Sequence, residues 1–131
     1  LLSDKLYSEY RNNVNNVVDD FIKQIYIAKH EGFKIVGYGA AAKGMTFLNF
    51  ADVQMDVIID DNPLKQNLYT PGTNTIIKSA DHIETYTEDD KILFVPLAWN
   101  FYNEIRTRIE AKRKNNNDRF LKYFPNVKIE K

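Results

Sequence analysis

The sequence predicts an α/β fold with a mostly parallel sheet, and three observations carry that prediction. Short apolar runs at 34–38, 55–60 and 91–96 have strand length. Stretches with helical periodicity at 3–30, 42–50 and 100–114 alternate with them. A glycine-rich bend, Gly37-Tyr38-Gly39-Ala40-Ala41-Ala42-Lys43-Gly44, joins the first run to the next helical stretch. Strands alternating with helices imply crossovers between parallel strands. Right-handed crossovers then give a Rossmann-like three-layer sandwich behind a long N-terminal helix.

The first element spans residues 3–30. Ser3 and Asp4 can cap its start, and Leu6, Tyr10, Val14, Val17, Val18, Phe21, Ile25 and Ala28 form one apolar stripe. Gly32 is its natural stop. Such a helix is roughly 42 Å long, against a radius of gyration of about 14 Å for a compact domain of this size. Either part of the stripe rests on something beyond this chain, or the helix kinks at Asn12-Asn13 or Asn15-Asn16.

A strand from Lys34 to Tyr38 follows, then the glycine bend and a helix from Ala42 to Phe50. The run from Met55 to Asp60 ends in the turn Asp61-Asn62-Pro63. Residues 64–74 read as irregular, 75–78 as a short strand, and 79–84 as a helical turn capped by Ser79. Lys91 to Pro96 is the third clear strand, and the helix after it places Phe101, Ile105 and Ile109 on one face. Asn115-Asn116-Asn117 reads as a loop; Arg119 to Phe124 and Val127 to Ile129 close the sheet.

Composition narrows the function classes. Eighteen basic side chains balance eighteen acidic ones in 131 residues, which excludes a broad electrostatic footprint for nucleic acid or an anionic membrane. No cysteine is present, so disulfides, thiolate metal sites and a cysteine nucleophile are excluded. No apolar run approaches the roughly 18 residues that span a bilayer. The expected location is cytoplasmic. Leu1-Leu2 is no natural initiation, so the chain reads as part of a longer one: residues 1–32 a linker helix, residues 33–131 the α/β domain.

Candidate site residues gather where strands end. A helix that starts after a buried strand offers free N–H groups and a dipole to an anion. Gly39 permits close approach or positive φ, Ala40, Ala41 and Ala42 keep side chains out of the way, Lys43 adds a point charge, and Gly44 lets the helix sit tightly on the sheet. The spacing is neither a strict G-x-G-x-x-G nor a Walker A loop. A turn needed only for packing is the plain alternative. Asp60, 21 residues after Gly39, sits where a dinucleotide-binding fold meets a ribose, or else it simply begins a turn. In the following loop, Asn62 lies at the turn, Lys65 can reach a phosphate and Tyr69 can stack on a base; both of the latter also read as surface residues. Trp99 can line a pocket, and Asn100 reads better as a helix cap. Neither His30 nor His82 has a nearby Ser, Cys or second His in a useful pattern, and no metal-ligand spacing occurs. No catalytic set emerges, which points to a binding module.

Together these segments resemble the C-terminal domain of sugar C-methyltransferases. The resemblance rests on Val36 to Gly44 with Leu48-Asn49, on Ile59 to Gln66, on Tyr69 to Thr73, and on Leu97 to Phe101 with Glu104-Ile105. It covers residues 34–106 and weakens after about residue 110. The family pattern has Asn at the position of Met45, and Arg or Lys at that of Asp61. The resemblance implies a three-part enzyme with a zinc-binding region, a central methyltransferase domain using S-adenosylmethionine, and this domain. It implies methylation of a nucleotide-linked keto-deoxysugar: a proton leaves beside the ketone and the enolate attacks the donor methyl. The acid–base groups and the methyl donor belong to the central domain, so the present chain is expected to hold part of a dTDP-type nucleotide-sugar and no cofactor. Two other readings stay open: an NAD-binding oxidoreductase or sensing domain, resting on Gly39 and Asp60, and a structural domain whose long helix docks a partner.

Overall fold

A computed structural model describes residues 2–40, 42–124 and 126–131, with side chains from Asn16 onward apart from Ala42 and Lys43. The elements are α1 (Leu2–His30), β1 (Lys34–Tyr38), α2 (Ala42–Ala51), β2 (Val57–Ile59), β3 (Ile77–Lys78), β4 (Ile92–Pro96), α3 (Tyr102–Lys112), β5 (Arg119–Lys122) and β6 (Lys128–Glu130). Two 3-10 helices, Ala80–Thr85 and Trp99–Phe101, precede β4 and α3. The Ser3-Asp4 cap and the stripe through Leu6, Tyr10 and Val14 rest on side chains outside those described, and the choice between a straight and a kinked start is left with them.

The sheet has six strands in the order β3-β2-β1-β4-β5-β6. The first five run parallel, and β6 returns antiparallel to β5. This is the doubly wound order, in which the chain leaves β1 in opposite directions along the sheet. At that point Gly39 donates its N–H to Ile59 (2.6 Å) on one side, while Tyr38 accepts the Leu97 N–H (2.9 Å) on the other.

Two apolar cores flank the sheet, which explains the three layers. On one face Val18, Phe21, Ile25 and Ala28 of α1 and Leu48 and Ala51 of α2 pack on Ile35, Ile58, Leu93, Val95 and Leu121. On the other, Tyr102, Ile105 and Ile109 of α3 and Ile83 pack on Val36, Val57, Ile59, Phe94 and Phe120. All five residues of β4 are buried, as a central parallel strand requires. The α1 end is closed by Gly32 N–H on Lys29 (3.1 Å) and Phe33 N–H on Ala28 (2.9 Å).

Several elements differ from the sequence reading. β2 is only Val57–Ile59 because Asp56 uses its carboxylate to accept the Ile35 N–H (2.7 Å) ahead of the regular ladder. Ser79 stands at the N-cap of the 3-10 helix but makes no side-chain capping bond. The extra turn Trp99–Phe101 moves the start of the next helix from residue 100 to Tyr102, and Tyr102 joins Ile105 and Ile109 in the core while Phe101 stays exposed. Asn100 lies inside that turn, and the N-cap of α3 is Phe101. Of the two closing strands, β5 ends two residues earlier than expected and β6 keeps its length but lies one residue later.

Gly44 sets how closely α2 rests on the sheet. A Cβ there would stand 2.8 Å from the Leu97 Cβ and 3.4 Å from the Leu97 carbonyl oxygen. Neither atom can swing away. Gly44→Val is therefore expected to cost roughly 1–3 kcal/mol by overpacking, read as a lower urea midpoint at unchanged slope.

Candidate functional site

Open α/β sheets bind ligands beyond the carboxyl ends of their strands, at the switch point. A crevice of about 590 Å3 lies there, between the ends of β1, β2 and β4 and the first turns of α3. That volume suits a small molecule. Ala98, Phe101 and Ile105 give it an apolar side, and Tyr38, Asp60, Asp61, Asn62, Glu104 and Arg108 give it a polar rim.

The glycine bend is held by Asp60. Gly39 has φ +94°, and nothing stands within 4 Å of the place its Cβ would occupy, so backbone conformation and not crowding demands the glycine. The Asp60 Oδ2 accepts the Ala40 N–H (2.7 Å), and Oδ1 accepts the Asn62 N–H (2.8 Å). Lys65 donates to the Ala40 carbonyl (3.0 Å) with its Nζ 4.0 Å from Asp60. Gln66 donates to the Asp60 carbonyl (3.0 Å). The bend after β1 and the loop after β2 are thus latched together.

The loop is also fixed from within. Thr70, Thr73 and Thr75 are buried, with the Thr70 and Thr73 hydroxyls 2.5 Å apart and the Thr75 N–H on the Thr70 hydroxyl (2.9 Å). Tyr69 bridges to Ile76 by backbone while its side chain stays exposed.

A second set of contacts crosses the crevice. Tyr38 donates its hydroxyl to Asp61 Oδ1 (2.7 Å), and Arg108 donates to Asp61 Oδ2 (2.9 Å). Burial, and then the hydrogen bond to Asp61, push the Tyr38 phenol above its ordinary range. It remains a neutral donor and is no general base. The arrangement can bind and orient a ligand; it holds no matched acid–base pair.

Of the sequence candidates, Gly39, Asp60 and Asn62 line the crevice. Ala40 and Lys65 belong to the latch behind it. Gly44 packs on Leu97. Trp99 packs against Phe124 with the rings tilted by 34° and their centroids 4.1 Å apart, and Asn100 is exposed beside it. Tyr69 is on the outside of the loop. Ala41 and the Lys43 side chain lie outside the described residues. Sequence reasoning missed Tyr38, Asp61, Phe101, Glu104 and Arg108. The spacing 101, 104, 108 is helical and was available as a signal, being the stripe beside the buried Ile105 and Ile109.

The sheet order and the crevice at its switch point define a doubly wound α/β domain. The chain belongs to the family of C-methyltransferase C-terminal domains, whose model matches residues 1–125. It is therefore a methyltransferase-associated domain. A comparison with curated proteins gives no match. Among the described residues, no helix is long and apolar enough to cross a membrane.

Proposed function

We propose that this domain binds the nucleotide-sugar substrate of an S-adenosylmethionine-dependent sugar C-methyltransferase and positions the keto-deoxysugar for C-methylation. The observation that carries the reading is the latched glycine bend at the switch point, in a chain of the C-methyltransferase C-terminal family. An anchored diphosphate holds the sugar where the methyl donor can reach it, and such anchoring lowers the barrier by orientation. The first turn of α2, with Lys43, is the anion-binding side of the bend. In this reading the long helix continues as a linker to a preceding catalytic domain, which supplies acid–base chemistry and the methyl donor, and the protein works in the cytoplasm.

Zinc does not fit here. The chain has no cysteine, and among the described residues no group of three His, Cys, Asp or Glu is placed to hold a metal ion. No step runs through it in this domain. The NAD reading has the right strand order, but the carboxylate that would meet the ribose already accepts two backbone N–H groups.

Calorimetric titration with dTDP, against NAD, at low and moderate salt tests the reading. Expected is dTDP binding that weakens with salt and falls about tenfold in Lys43→Ala, as losing one phosphate contact would give. Binding of NAD alone overturns it. So does silence toward dTDP in both this chain and the full-length protein.

A further inference from the structure

We infer that the crevice takes the uncharged nucleoside end of the ligand and excludes its phosphates. The inference rests on the nucleotide-sugar reading and says which part of that ligand goes where.

Charge at the rim decides against an anion. Lys65 stands 4.0 Å from Asp60, and Arg108 is paired to Asp61 at 2.9 Å. Glu104, exposed on the first turn of α3, has no ion-pair partner among the described residues. Among the described residues, Arg108 at the mouth and Lys65 behind it are thus both matched, and one carboxylate is left over. A phosphate entering here meets no spare positive charge among the described residues and must approach Glu104. A group with hydroxyl or N–H donors gains an acceptor in the same place.

Shape points the same way. Ala98 and Ile105 form an apolar floor, and Phe101 stands over it with 55% of its surface exposed. A large aromatic ring left in solvent beside an apolar slot is a platform for a flat ring, since every base has a face to stack. The Tyr38 proton is spent on Asp61, but Arg108 gives Asp61 only one of its guanidinium N–H groups, and those remaining are donors for carbonyl oxygens of a base.

The test is an NMR titration of this chain with thymidine, inorganic pyrophosphate and dTDP in turn. Thymidine is expected to move the amides of Phe101, Glu104 and Arg108, and pyrophosphate to leave them in place. Phe101→Ala is expected to weaken thymidine about tenfold and leave pyrophosphate unchanged. Glu104→Gln is expected to weaken thymidine by a smaller factor and not to weaken pyrophosphate. Both side chains are exposed, so both variants should melt as the parent does. Pyrophosphate moving the crevice amides overturns the inference. So does dTDP binding that leaves them still, or that survives Phe101→Ala undiminished; in those cases the wider nucleotide-sugar reading stands. Silence toward all three ligands, here and in the full-length protein, overturns both.

Discussion

Arg113→Ala is expected to lower the unfolding free energy by about 3–5 kcal/mol, out of the roughly 5–15 kcal/mol typical of a domain. Arg113 follows α3, and Asp118 precedes β5. Their side chains are 8% and 4% exposed and meet at 2.8 Å, with a second N–H bond at 3.2 Å. The guanidinium also donates to the carbonyls of Thr87 (2.7 Å) and Asp90 (2.6 Å), and Asp118 also accepts the Ile92 N–H (3.2 Å). One planar fork therefore ties the end of α3 to the turn before β4 and to the start of β5. Removing it leaves a buried carboxylate with a single backbone partner and two carbonyls without theirs. Arg113→Lys keeps the charge but not the fork, so it recovers only part of the loss. Because the pair is buried, the loss changes little between low and moderate salt. The clamp lies at the amino ends of the strands, away from the crevice, so dTDP affinity measured on folded protein should not move. A loss under about 1 kcal/mol in urea unfolding would show that the pair is merely tolerated, as some buried ion pairs are.

How much of this was legible depended on range. β1 and β4 were legible because each is a short, largely apolar run, four residues buried in β1 and five in β4, as a central parallel strand covered on both faces requires. The mostly parallel sheet followed from the alternation of strands and helices. Local turn chemistry was legible too: Asn115 accepts the Asn117 N–H (2.9 Å), as an Asn-rich loop suggests. The site was legible only in outline. Asp61 read as the loss of a positive charge, whereas Arg108, 47 residues later, returns one to it. Phe101 read as core, and a single 3-10 turn moved it to the crevice. Residues 64–74 read as irregular; their order comes from buried threonine hydroxyls and from Gln54 on Thr73, contacts that no periodicity announces. What the sequence leaves open in each case is a partner supplied by another element.

Asp60 is where the two halves of the reading meet, and its substitution separates a latch from a ligand contact. Asp60→Ala is expected to cost roughly 2–4 kcal/mol, because two charge-assisted bonds to backbone N–H groups are lost and the Ala40 donor is left buried. Lys65 then loses the carboxylate beside it and keeps only the Ala40 carbonyl. With the bend and the loop no longer joined, dTDP affinity should fall at least tenfold, since a cradle that must be reordered on binding binds more weakly. Asp60→Asn sharpens the result. Its one carbonyl oxygen can serve Asn62 or Ala40 but not both, since its NH2 group meets the other N–H as donor against donor. It should keep about half the lost stability. A residue whose task was to meet a ribose would behave otherwise: Asp60→Ala would leave the urea midpoint unchanged and remove NAD binding alone. Stability and dTDP affinity falling together in Asp60→Ala, and together recovering in part in Asp60→Asn, identify the carboxylate as the piece that gives the glycine bend its shape before any ligand arrives.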